Sequence, residues 1–171
     1  MAGRNWRKIT PKKLWNYLVI IHVKYFLWHF SAYFPLFQEF MCWRMRPFIW
    51  RLIGVNVGRR VFIGYGVYLD VDGASRITIG DNVLIAAQSL LLTHKRDLSN
   101  YNGQGLQNEL GFHLGAIELR ANSSIGMRTM ILPGVTIGEN TVIGACSLVA
   151  KDVPDNVLAV GNPLKVIKEF R

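Results

Sequence analysis

Between residues 119 and 149 an aliphatic side chain recurs every six positions, at Leu119, Ile125, Ile131, Ile137, Ile143 and Val149. Small or β-branched residues follow four places on, at Ser123, Thr129, Val135, Thr141, Ser147 and Val153. Gly126, Gly138 and Gly144 each come directly after an aliphatic residue. A period of six is neither the helix period nor the strand period. It is a repeat, and hexapeptide repeats mark a β-helix. Each hexapeptide supplies one short strand and one corner, and three of them close a triangular coil. The aliphatic residue points into the prism and stacks on its equivalent in the next coil, about 4.8 Å away. Glycine fits where the backbone turns and a Cβ would clash.

The same phase runs earlier, through Val57, Ile63 and Leu69 and then Ile79, Ile85 and Leu91. Two steps are too long: 10 positions from Leu69 to Ile79, and 28 from Leu91 to Leu119. Counting faces from Val57 places Val57, Ile79, Leu119 and Ile137 on one side of the prism. Ile63, Ile85, Ile125 and Ile143 fall on the second, and Leu69, Leu91, Ile131 and Val149 on the third. Both insertions therefore leave at the same corner, one coil above the other. Loops at one edge of a repeat stack are where such folds put function. The short insertion opens with Asp70-Val71-Asp72-Gly73 and the long one with Thr93-His94-Lys95-Arg96-Asp97. His94 and Asp72 sit three places past equivalent aliphatics, which puts them about 5 Å apart at strand spacing.

The segment ILPGVTIGENTVIGACSLVAKDVPDNVLAVGNPLKVIK, residues 131–168, resembles the C-terminal half of the maltose and galactoside O-acetyltransferases and their polysaccharide-modifying relatives. These are hexapeptide-repeat acyltransferases, and the likeness spans residues 57–170. The resemblance implies an all-β solenoid, a left-handed parallel β-helix of about four to five coils. That handedness departs from the usual right-handed crossover. The β-helix is expected over residues 55–154, with an inserted loop at 95–116. An apolar helical segment at 1–54 precedes it. A cap at 155–171 follows, where GNPLKVIKEFR reads as a turn and a short helix covering the last coil's unpaired edge.

Moving an acyl group from a thioester to a hydroxyl needs a base for the hydroxyl proton and a donor for the developing oxyanion. Histidine is the usual base near neutral pH. GDNVLIAAQSLLLTHKRD is similar to the family segment that ends in the catalytic histidine, which implies that role for His94. The hydroxyl then attacks acetyl-CoA directly, without an acyl-enzyme. Asp70 matches an acidic position used near the acceptor, either to bind sugar hydroxyls or to orient the imidazole. Asp72 is the alternative by coil count, and it is also half of an Asp-Gly turn pair. The resemblance places coenzyme A in a groove between two β-helices and hence implies a homotrimer. Matching positions here are Met127, Ala145, Ala150, Lys151, Lys165 and Lys168. The small Ala145 admits the pantetheine arm, and the lysines meet phosphates as point charges. Two positions depart from the family pattern: Ser124 replaces a common tryptophan, and Met127 a small or polar residue. Asn100, Tyr101, Asn102, Asn108, Glu109 and His113 give the long loop the polar character of a lid or an acceptor contact.

The chain has 171 residues and a net charge of +9. Before Val61 the basic residues are Arg4, Arg7, Lys8, Lys12, Lys13, Lys24, Arg44, Arg46, Arg51, Arg59 and Arg60, against the single acid Glu39. The remainder is nearly balanced. Residues 12–40 are the most apolar stretch, with Leu14, Leu18, Ile21, Tyr25 and Trp28 at helical spacing and apolar residues on most other sides. Pro11 suits a first helical turn and Pro35 an end or bend. A second apolar segment spans residues 37–53. Lys24 and Glu39 interrupt what would otherwise approach the 20 apolar residues of a span, and no signal-peptide cleavage site is present. The expectation is a basic, aromatic hairpin on an anionic membrane surface through residues 4–53, or packed within the oligomer. That places the protein in the cytoplasm, peripheral at the inner face of the plasma membrane.

No aromatic-and-basic RNA motif appears, so nucleic acid is not an expected partner. Cys42 and Cys146 are too differently placed to bridge. A γ-type carbonic anhydrase on the same fold needs three histidines on one zinc, and only His94 and His113 lie outside the N-terminal segment; no metal is expected. A non-catalytic scaffold would have no use for the insertion corner.

Overall fold

The computed structural model of the chain describes residues 11–33, 38–99, 101–104 and 110–171. The expectations for Arg4, Arg7, Lys8, Pro35, Asn100, Asn108 and Glu109 lie outside these residues, as do those for the side chains of Lys12, Lys13 and Leu14. Three parallel sheets form the faces of the prism. The first joins β1 (Asn56–Val57), β4 (Ile77–Ile79), β9 (Ile117–Leu119) and β12 (Thr136–Ile137) in that order. The second stacks β2 (Phe62–Ile63), β5 (Leu84–Ile85), β10 (Ser124–Ile125), β13 (Val142–Ile143) and β15 (Val157–Val160). The third stacks β3 (Tyr68–Leu69), β6 (Leu90–Leu91), β11 (Met130–Ile131) and β14 (Leu148–Val149).

Register follows the six-residue count. Val57 pairs with Ile79, Ile79 with Leu119, and Leu119 with Ile137. Ile63, Ile85, Ile125, Ile143 and Ala159 align on the second face. Leu69, Leu91, Ile131 and Val149 align on the third. Apart from Val57, every one of these is at most 1% exposed. Burying each Val, Leu or Ile contributes about 1.5–3 kcal/mol, so the three stacks are the main source of stability. The four-places-on set, Ser123, Thr129, Val135, Thr141, Ser147 and Val153, is buried beside them.

The corner between the first and second sheets repeats a left-handed residue at Arg60, Asn82, Asn122, Asn140 and Asn156. Asparagine tolerates that backbone better than most residues. Its side chains also form a ladder, Asn82 to Asn122 at 3.0 Å, Asn122 to Asn140 at 3.0 Å and Asn140 to Asn156 at 2.9 Å.

At the N-terminal end, α1 (Pro11–Tyr33) packs on α3 (Arg46–Ile53). Before α3 come a single turn, α2 (Gln38–Phe40), and a π-helical turn, Met41–Met45. Trp28, Trp50 and Ile53 close the core beneath the first coil. Gly54, at φ 109°, ends α3 in a conformation that disfavours a side chain. Arg51 ties the helix to the first coil through Nε to the Val57 carbonyl at 2.9 Å and a second bond to the Gly58 carbonyl. Arg46 is wholly buried, donating to Cys42 Sγ at 2.7 Å and the Ile63 carbonyl at 3.3 Å. Burial lowers the pKa of its guanidinium and raises that of the Cys42 thiol. Cys42 and Cys146 are both free thiols.

The inward face of α1 follows the apolar stripe only in part. Tyr17, Ile21, Lys24 and Trp28 turn toward the protein and Tyr25 borders the cleft, whereas Leu18 is exposed. A helix apolar on nearly every side carries no internal signal for which face is buried, so the partner surface decides. Among the described residues no helix is long and apolar enough to cross a membrane. The C-terminus also differs from expectation. The parallel ladder continues past Pro154 into β15, and the segment read as a short helix is β16 (Lys165–Glu169), antiparallel to β15. The open edge of the second sheet offers backbone partners, and pairing with them outweighs the weak helical pattern of KVIKE.

Candidate active site

Asp70 and His94 leave the third sheet from aligned positions, one residue after Leu69 and three after Leu91. The long insertion does not loop out at once. His94–Arg96 forms β7, antiparallel to β8 (Phe112–Leu114), so that His94 faces Leu114 and Lys95 faces His113. The short insertion becomes a 3₁₀ turn, Val71–Arg76. Gly73 lies against the Thr93 side chain, and a Cβ there would collide with the Thr93 hydroxyl.

The Asp70 carboxylate is buried, and its Oδ2 accepts three hydrogen bonds. Thr93 donates its backbone N–H at 2.7 Å and its hydroxyl at 3.2 Å, and His94 Nδ1 lies at 2.8 Å. A carboxylate is an acceptor only, so Nδ1 carries the proton. Nε2 is then the nitrogen with a free lone pair, the tautomer that a general base needs. The His94 side chain is 46% exposed, against 8% for Asp70, so the ring reaches solvent while its anchor does not. Phe112 fixes the ring from the side, edge to face at 5.1 Å, and is itself covered by Arg96 at 4.3 Å.

Asp70, His94 and Phe112 line a cleft of about 660 Å³ whose opposite wall is α1. Tyr17, Lys24 and Tyr25 come from the helix, Tyr68 from β3, and Asp72 and Arg76 from the 3₁₀ turn. Burial and then the Asp72 carboxylate raise the Tyr25 pKa above its usual value, so its phenol stays a donor. Asp72 is exposed and makes no recorded bond to His94, so of the two acids it is Asp70 that meets the imidazole. Among the described residues no three His, Cys, Asp or Glu side chains gather to hold a metal ion.

The donor-side candidates lie elsewhere. Met127 and Ala145 occupy the corner between the second and third sheets, on adjacent rungs joined by the Cys146 N–H to the Met127 carbonyl at 2.8 Å. Lys165 and Lys168 are on β16, the edge strand of the second sheet. Ala150 and Lys151 share the corner of His94, two strands along the third sheet from β6. All six are exposed. One chain therefore does not bring Met127, Ala145, Lys165 or Lys168 to His94, because the third face of the prism separates the two corners. Arg76 and Phe112 were not singled out from sequence, and Lys24 and Thr93 were read only as an interruption of the apolar stretch and as the start of the long insertion.

Residues 117–151 match the family model described as bacterial transferase hexapeptide (six repeats). The galactoside O-acetyltransferase of Escherichia coli K12 is 39% identical over 120 residues, covering 68% of this chain and 54% of that protein. The crystal structure of a maltose O-acetyltransferase from Clostridium difficile 630 superposes with a TM-score of 0.68 at 26% identity, over 90% of this chain and 89% of that one. A galactoside acetyltransferase in complex with coenzyme A superposes with a TM-score of 0.66 at 25% identity, over 90% and 82%. The chain spans about half the length of the first curated relatives it matches. Together with the three parallel sheets, these likenesses make the chain a member of the hexapeptide-repeat acyltransferase superfamily, with its left-handed β-helix fold.

Proposed function

We propose that the protein is an acetyl-CoA-dependent O-acetyltransferase acting on a sugar or glycan hydroxyl. The observation that carries this reading is the 2.8 Å contact from His94 Nδ1 to the buried Asp70 carboxylate, at the mouth of a cleft large enough for a sugar. Nε2 of His94 takes the acceptor hydroxyl proton as the oxygen attacks the thioester carbonyl carbon. The tetrahedral oxyanion collapses, the C–S bond breaks, and the imidazolium returns its proton to the leaving thiolate. Asp70 stabilises the imidazolium between the two transfers. The relatives that act on maltose and galactosides, and the coenzyme A complex among the neighbours, support the donor and the acceptor class.

The reading includes a homotrimer. Met127 and Ala145 lie on a different corner from His94, so a second copy has to present its Met127–Ala145 edge to complete the site. It also includes an acceptor reached from an anionic membrane surface. The outer face of α1 exposes Trp15, Val19, Val23 and Phe26, and the described basic residues of this end outside the cleft include Arg44, Arg51, Arg59 and Arg60. On this reading the protein works at the inner face of the plasma membrane.

The test is thiol release from acetyl-CoA by wild type and His94→Ala with mono- and disaccharide acceptors. Acceptor-dependent release that His94→Ala loses, while still binding coenzyme A, is the expected outcome. Equal release from both would remove His94 from the mechanism.

A further inference from the structure

The cleft holds two cations that the acetyl transfer just described does not use. Arg76 ends the 3₁₀ turn of the short insertion, and Lys24 projects from the inward face of α1. Several other arginines have partners among the described residues. Arg59 pairs with Asp81 at 3.0 Å, Arg120 with Glu118 at 3.4 Å, Arg96 donates to the Leu110 carbonyl at 2.8 Å, and Arg51 to the first coil. Arg76 has none recorded, and its Nε is a buried donor without a hydrogen-bond partner. An unpaired buried donor is unfavourable, so the Arg76 guanidinium carries hydrogen-bonding capacity that the folded chain does not use. Asp70, whose Oδ2 takes its hydrogen bonds from Thr93 and His94, makes none with Arg76.

The remaining lining suits a sugar. Tyr17, Tyr25 and Tyr68 supply aromatic surface for the apolar face of a pyranose, and Asp72 is an exposed acceptor for hydroxyls. A neutral sugar would use the aromatic surface and Asp72 but leave the guanidinium and the ammonium unmatched. Resting on the acetyltransferase reading, we propose that the acceptor carries an anionic group beside the reacting sugar, a glycosyl phosphate, bound by Arg76 and Lys24. A guanidinium gives phosphate two parallel N–H donors, and an ammonium adds a point charge. The two come from different elements, so one phosphate would also tie α1 to the insertion that carries Asp70. The same phosphate chemistry belongs to soluble sugar phosphates and to lipid-linked ones.

Titration calorimetry of the full chain at fixed ionic strength separates the possibilities without relying on turnover. The probes are α-D-glucose 1-phosphate, methyl α-D-glucoside and a farnesyl-linked glucosyl phosphate. The expected result is binding of glucose 1-phosphate about tenfold or more tighter than the methyl glucoside. Arg76→Gln should remove most of that advantage and Arg76→Lys should keep part of it. Lys24→Gln, on a separate element, should lower it independently. A stronger complex with the farnesyl-linked probe assigns the phosphate to a lipid-linked acceptor, and equal binding to a soluble one; both retain the anion site. Equal affinity for charged and neutral sugars overturns the proposal. So does a phosphate advantage that survives both Gln variants, or displacement of glucose 1-phosphate by coenzyme A, which would give the cations to the donor. Tight phosphate binding with no acetyl transfer would leave this site standing and reject the enzymatic reading, whereas transfer to both sugars without preference would do the reverse.

Discussion

His94 Nδ1 and Asp70 Oδ2 are 2.8 Å apart although 24 residues separate them in the chain. The hexapeptide register makes the contact. Leu69 and Leu91 are paired across one rung, and both insertions leave from that pair. Asp70→Asn keeps the shape of the side chain but removes the charge and can present an N–H to the imidazole. The wrong tautomer is then favoured. The expected outcome is a fall in kcat of about 10²- to 10⁴-fold with a smaller change in KM. Steady-state kinetics with a saturating acceptor, beside a thermal melt, separates this from unfolding. An unchanged kcat would make Asp70 a structural anchor only.

The faces, the register and the shared exit corner of the insertions were legible because six-residue spacing is a one-dimensional code for a stacked core. What Asp70 and Asp72 do was not. Coil counting gives position to within a residue or two, and the 3₁₀ turn at Val71–Arg76 then moves Asp72 away while Thr93 draws Asp70 in. The buried face of α1 was illegible for another reason, since Lys24 faces inward and Phe26 outward against every hydropathy rule. The asparagine ladder did have a signal: Asn82, Asn122, Asn140 and Asn156 stand three places after Ile79, Leu119, Ile137 and Val153.

That ladder gives a stability prediction. Asn122 adopts φ 59° and is bonded on both sides, to Asn82 and Asn140. Asn122→Ala loses both bonds and places a Cβ residue in left-handed backbone without compensation. The cost should be about 1–3 kcal/mol. Asn122→Gly should recover the backbone part but not the bonds. Chemical denaturation of the three proteins measures the split, and equal stability of the Ala and Gly variants would place the whole effect in the side chain.

Asp81 couples the first two rungs to pH. The Arg59 backbone N–H at 2.7 Å, and then its guanidinium at 3.0 Å, lower the pKa of this carboxyl below its ordinary value. The folded value lies below the unfolded one. Its contribution to stability is therefore complete above pH ~4, and it is lost as pH falls through the folded value. In a carboxyl-detected NMR titration Asp81 should titrate below a free aspartate. Arg59→Ala should raise that midpoint only in part, because the backbone donor remains.

The outward apolar face of α1 predicts vesicle binding. Phe26 is 69% exposed and Trp15 68%, on the side of the helix away from the cleft. Cosedimentation should occur with vesicles rich in phosphatidylglycerol and weaken both with phosphatidylcholine alone and with added salt. Phe26→Glu should abolish it while acetylation of a soluble acceptor persists. If Phe26→Glu instead leaves vesicle binding intact and dissociates the oligomer, the face is a contact between copies.

Mixing inactive copies tests whether the site is shared. His94→Ala removes the base from one corner, and Ala145→Trp blocks the proposed pantetheine path at another, and each protein alone should be inactive. If a complete site takes His94 from one copy and the Met127–Ala145 edge from its neighbour, co-refolded mixtures contain sites with both groups intact. Random assembly in equal parts restores about a quarter of the wild-type sites in a cyclic trimer. Activity should therefore return on mixing under denaturing and refolding conditions, and stay absent when the folded proteins are merely combined. No recovery after co-refolding into trimers of normal size would place donor and base within one chain. The third face of the prism, which separates their corners, would then have to be bridged by coenzyme A itself.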